Sequence, residues 1–96
     1  MKIDGLLPIG SVVRLASGTH RLMITGYAQR LQDSNEACDY VACLWPEGHQ
    51  GPDKSIVFNG VAIEDVYFLG YQTDGQKVYA SRIETALAAY REKAAN

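Results

Sequence analysis

The apolar residues of this chain change their period once, and that change constrains the fold more than any other feature. Up to Tyr71 they fall in short runs that alternate with period two. From Asp74 onward Val78, Tyr79, Arg82, Ile83, Ala86, Leu87 and Tyr90 recur at three- and four-residue spacing. Period two is the signature of strands and period 3.6 that of a helix. A run of strands followed by one helix predicts an α+β chain that is mainly β.

Five strand segments lie within residues 11–71. Ser11–Ala16 and Arg21–Ala28 read as an antiparallel pair across the turn Ser17-Gly18-Thr19-His20. In the second, Leu22, Ile24 and Gly26 are expected on one face and Met23, Thr25 and Tyr27 on the other. Gly26 within the strand marks a bulge or a sharp bend. The polar stretch 29–37 reads as a loop. Asp39–Trp45 has apolar residues on both faces, as a strand covered on both sides does. Pro46–Lys54 holds two prolines and two glycines and reads as a surface loop. Ser55–Asn59 and Ile63–Tyr71 supply the last two strands, separated by the turn signal Asn59-Gly60.

The helix is expected at about 74–94. Thr73 with Gln76 three residues later fits a capping box, and so does Ser81 with Glu84, which leaves a later start open. Its alanines favour helix, and Val78, Ile83, Leu87 and Tyr90 form an apolar stripe that must cover something; Arg91 lies off that stripe. An isolated helix of this length is marginal, so docking onto the sheet is expected. Five short strands, one bent, with a helix laid on them predict a small SH3-like antiparallel barrel. With 96 residues, a single domain over 1–96 is expected.

Composition narrows the function classes. The chain is 47% hydrophobic and 21% charged, with a formal net charge of -2. Its nine Lys and Arg are scattered, so the basic patch that tracks a nucleic-acid backbone is missing, and no nucleic-acid partner is expected. No apolar run is long enough to span a membrane, and the N-terminal stretch lacks the pattern of a secretory signal. No membrane association and a cytoplasmic location are expected.

Few residues suit catalysis. Cys38 and Cys43 sit five apart on one strand, which points them to opposite faces; they are expected as free, buried thiols rather than a bridge or a zinc site. His20 and His49 fall in turns with no metal-ligand spacing, although His49 has Glu47 and Asp53 near it in sequence. Glu64 and Asp65 are adjacent on a strand and diverge, so they do not form an acid–base pair. No nucleophile elbow, zinc-protease helix, phosphate loop or dinucleotide fingerprint occurs. The expectation is a non-enzyme with no cofactor, no metal and no catalytic residue.

Two blocks carry a resemblance: LPIGSVV at Leu7–Val13, and DYVACLWPEG at Asp39–Gly48. With MITGY (Met23–Tyr27), Phe58-Asn59 and IEDVYFLGY (Ile63–Tyr71) between and after them in that order, the chain resembles the domain of unknown function 4176 family. Such proteins occur in Gram-positive bacteria beside genes for type VII secretion and its LXG-type toxins. The resemblance implies a cytoplasmic accessory, adaptor or chaperone-like protein that binds a toxin before export. In that family a basic residue often follows the Met-Ile-x-Gly block, where this chain has Tyr27.

The partner-binding surface expected here is the end of the third strand and its loop, Trp45, Pro46 and Glu47, together with Tyr71. Trp and Tyr are the types most enriched at binding hot spots. Trp45 has a second reading, as a plug for one end of the barrel, and the sequence leaves both open. The alternative functions are a small-ligand-binding or enzymatic barrel of unknown substrate and, behind it, a nucleic-acid-binding barrel. The oligomeric state has no signature in the sequence.

Overall fold

The computed structural model describes residues 5–30 and 36–95. Five strands form one antiparallel sheet: β1 (Val12–Leu15), β2 (Arg21–Arg30), β3 (Ala37–Leu44), β4 (Ile56–Phe58) and β5 (Ile63–Phe68), followed by a single helix, α1 (Asp74–Ala95). The strand order is β4-β3-β2-β1-β5. The chain has the expected mainly-β α+β fold. A single 3-10 turn over Gly60–Ala62 joins the two edge strands. Strand twist and three register shifts bend the sheet into a barrel-like shape.

The expected loop at 29–37 is shorter than its polarity suggested. Gln29 and Arg30 continue β2 and Ala37 begins β3, paired Gln29 to Cys38 and Arg30 to Ala37. The rest of that stretch, 31–35, lies outside the described residues.

Bulges decide which side chains enter the core. The β2–β3 register shifts between Ile24 and Gly26, so the alternation changes phase there. Tyr27, expected opposite Leu22 and Ile24, therefore joins them inside. The β1–β5 ladder shifts twice, and Ile63 and Val66, an odd number of residues apart, both pack on the core. The core cluster is Leu7, Val13, Leu22, Ile24, Tyr27, Tyr40, Ala42, Phe58 and Ile63.

The segment before β1 is bound into this core through its backbone. Leu7 N–H donates to the Tyr40 hydroxyl at 2.8 Å, and the Tyr27 hydroxyl donates to the Leu7 carbonyl. Two buried tyrosines thus satisfy both main-chain groups of one residue. Gly10 N–H donates to the Ile24 carbonyl, and the fully buried Ser11 accepts from Gly70 N–H on its hydroxyl at 3.0 Å. Gly70 lies against Ile9 so closely that a Cβ there would sit 2.1 Å from the Ile9 carbonyl oxygen. Only glycine permits that crossing.

The helix starts where the first capping pair placed it: Thr73 Oγ1 accepts from Gln76 N–H at 3.0 Å. Its buried face differs from the expected stripe. Ala80 and Leu87 are buried and Ile83 is half-buried, whereas Val78, Tyr79 and Tyr90 are exposed. The helix docks over β2 and β3, and the row in contact passes through positions 80, 83 and 87, on the side of the helix opposite Val78. Arg91, expected off the contact stripe, reaches across instead. Its Nη2 donates to the Ala37 carbonyl, Asp39 Oδ1 and Asn59 Oδ1, at 2.9, 2.9 and 3.1 Å. Asp39 in turn accepts from Gly60 N–H, which ties β3, the β4–β5 connection and the helix together.

Both cysteines are free and buried. Cys38 shares a strand face with Tyr40 and Cys43 lies on the other face, as their odd spacing requires. Burial pushes the Cys38 thiol pKa up. No described helix is long and apolar enough to cross a membrane.

Candidate functional site

The outer face of the sheet, away from the core cluster, carries the candidate site. Pairing registers place Cys43, Met23, Val12 and Phe68 in one row across β3, β2, β1 and β5. Cys43 and Val12 in this row are buried, at 3% and 7% exposure, and Met23 is half-buried, so neighbouring side chains already cover the middle of the row. At the Phe68 end the row is open, with that ring 61% exposed. The row beside it is charged: Arg21 pairs with Arg14, and Arg14 with Asp65.

An open groove of about 460 Å³ runs along this face, lined by Gly10, Val12, Arg21, Met23, Trp45, Tyr67 and Phe68. Val12 and Met23 form its floor. Trp45, just past β3, stands at one side, and Tyr67 and Phe68 of β5 at the other. The Trp45 amide is held by the Arg21 carbonyl at 2.9 Å. The Arg21 guanidinium lies over the Tyr67 ring, 4.5 Å from its centroid, which is cation–π geometry.

Two ion pairs flank the groove without entering it. Arg14 bonds Asp65 through Nε at 2.8 Å and Nη2 at 2.7 Å, and this carboxylate raises the Arg14 pKa. His20 Nε2 lies 2.9 Å from Glu47 Oε1, and that hydrogen bond lowers the Glu47 carboxyl pKa. Of the residues lining the groove, only Arg21 carries a charge. The groove thus offers apolar contact, ring stacking and one fixed positive charge, and its lining holds no carboxylate, imidazole or hydroxyl suited to proton transfer except the Tyr67 phenol.

The sequence-predicted surface is partly gathered here. Trp45 is 42% exposed and forms a groove wall, so it is not a buried plug of the barrel. Pro46 and Glu47 follow it on the surface, with Glu47 turned to His20. Tyr71 is exposed but is not part of the groove's lining. Val12, Arg21, Met23, Tyr67 and Phe68 were missed. Alternation alone does not gather them, because Tyr67 and Phe68 are adjacent and read as opposite faces of β5; the registers and their shifts bring these residues to one groove.

His49 and Asp53 do not assemble with Glu47 into a metal site. Among the described residues no group of three or more His, Cys, Asp or Glu is placed to hold a metal ion.

The model of the domain of unknown function 4176 family matches residues 6–78, more than half of the 96-residue chain. The chain belongs to this family. No curated protein and no solved structure matches it. The matched span contains all five strands and every residue of the groove. It ends at Val78, so most of α1, including Leu87 and Arg91, lies beyond it.

Proposed function

We propose that this chain is a non-catalytic accessory protein that holds a protein partner against the outer face of its sheet, and that the partner is a toxin exported by type VII secretion, bound in the cytoplasm before export. The observation that carries the binding role is the open groove with Trp45, Tyr67 and Phe68 standing 42%, 47% and 61% exposed around it. Exposed aromatic residues around an apolar floor are the composition of a binding hot spot. Membership of the domain of unknown function 4176 family supports the toxin, through the type VII association that the family resemblance implies.

The test is titration of the purified protein with the N-terminal segment of an LXG-type toxin encoded beside its gene. Binding is expected, and Trp45→Ala is expected to weaken it about 30-fold, the equivalent of roughly 2 kcal/mol. The same substitution should cost less stability than the about 3–5 kcal/mol of a buried large-to-small change. Toxin binding that is unaffected by both Trp45→Ala and Phe68→Ala would overturn the assignment of the groove. Absence of binding to any such toxin would overturn the partner.

A further inference from the structure

Arg21 is the one charged group in the groove lining, and among the described residues it has no acidic partner. Every other charged group identified on this face is paired: Arg14 with Asp65, and Glu47 with His20. The guanidinium is held in place by the Tyr67 ring beneath it. A planar fork fixed over an aromatic face, with its donors unspent, suits a carboxylate. It stands at the edge of a floor made of Val12 and Met23, between the Trp45 wall and the Tyr67–Phe68 wall.

We infer that the groove recognises a segment of the partner protein that carries a large apolar side chain with an acidic residue close to it: the apolar side chain lies on Val12 and Met23 between Trp45 and Phe68, and the carboxylate pairs with Arg21. The inference deepens the accessory-protein reading and rests on it for the occupant being a protein. Charge complementarity sets the sign, because an acidic residue there meets an unpaired cation and a basic one meets Arg21 with no counter-charge. Openness sets the class of occupant. A small molecule is ordinarily enclosed over about 70–90% of its surface, whereas these walls remain half open to solvent, as suits a segment that brings the rest of its own surface to cover the rim.

Three probes test this against the ¹⁵N-labelled protein by NMR titration. They are the blocked hexapeptides acetyl-Gly-Ser-Trp-Asp-Ser-Gly-amide and acetyl-Gly-Ser-Trp-Lys-Ser-Gly-amide, and 4-phenylbutyrate. The Asp peptide is expected to give saturable shifts at Val12, Met23, the Trp45 indole and Phe68, and to bind at least five-fold more tightly than the Lys peptide. Added salt should narrow that ratio. Arg21→Gln should bring the ratio close to one, by weakening the Asp peptide and by relieving the repulsion felt by the Lys peptide, and Arg21→Lys should restore part of it. Trp45→Ala should weaken both peptides. Equal affinity of the two peptides for the wild-type protein, shifts confined to the helix face, or binding of 4-phenylbutyrate without either peptide would each overturn the inference.

The toxin titration keeps the two readings apart. Toxin binding lost with Trp45→Ala but untouched by Arg21→Gln leaves the accessory role standing and overturns the acidic-segment inference. Peptide discrimination that depends on Arg21, in a protein that binds no such toxin, upholds the recognition chemistry and overturns the toxin partner.

Discussion

Tyr40→Phe isolates one hydrogen bond that moors the chain's lead-in to the core. Tyr40 is 1% exposed, and its hydroxyl accepts the Leu7 N–H at 2.8 Å. Phenylalanine keeps the ring and its contacts with Phe58 and Tyr27, whose centroids lie 5.4 and 6.0 Å away, so the packing loss is confined to one oxygen. What remains is the buried Leu7 amide without an acceptor, a cost of about 1–3 kcal/mol. At about 4–8 °C per kcal/mol for a domain of this size, a 2 kcal/mol loss lowers Tm by roughly 8–16 °C. Guanidinium unfolding read by Trp45 fluorescence should show the midpoint falling with an unchanged slope, and hydrogen exchange at Leu7 should accelerate. Tyr27→Phe removes the donor to the Leu7 carbonyl. The double variant should lose less than the sum of the singles, because both hydroxyls hold the same residue. Burial raises the pKa of both phenols, so the folded state holds these protons more tightly than the unfolded chain. That contribution is whole below the ordinary tyrosine value of 10.0 and is lost as pH climbs above it towards the raised folded values. The double Phe variant should lack this alkaline decline. A Tyr40→Phe protein within about 0.5 kcal/mol of wild type would refute the reasoning, since a surface-like substitution costs no more.

Three further outcomes are expected. Gly70→Ala must displace the Ile9 backbone, because its Cβ would sit 2.1 Å from the carbonyl oxygen; a loss of at least about 2 kcal/mol is expected by thermal melting, and a wild-type Tm would show that the crossing relaxes freely. Arg91→Ala should cost about 0.5–1.5 kcal/mol, more than an isolated surface pair, because it strips three acceptors at the β3–helix seam; faster amide exchange confined to the last turns of α1 is the check. Leu87→Asp should cost several kcal/mol by burying an unpaired charge, whereas Val78→Asp, at an exposed position, should stay within about 0.5 kcal/mol. Equal effects at the two positions would mean that the helix does not dock by the Leu87 face.

Some of this protein was legible in residue order alone. The single change of period separates the sheet from the helix, because side-chain spacing is a local consequence of backbone geometry. Thr73 at the helix start needed only its own chain neighbours, and so did the divergence of Cys38 and Cys43. Phase and register were different. The bulge at Gly26 was visible as a glycine within a strand, but its effect, turning Tyr27 into the core, depends on where β3 takes up pairing again. Val78 lies five residues before Ile83 and nine before Leu87, which puts it on the far side of the helix from them, so its exposure follows from helix geometry once Leu87 faces the sheet. The groove was hidden for the same reason as the turn of Tyr27. Val12, Met23, Trp45 and Phe68 come from four separate segments, and cross-strand pairing with its shifts brings them to one face. Local periods are set by sequence neighbours, whereas the partner of each residue is chosen when strands distant along the chain settle their registers, and here that choice made both the core and the candidate binding surface.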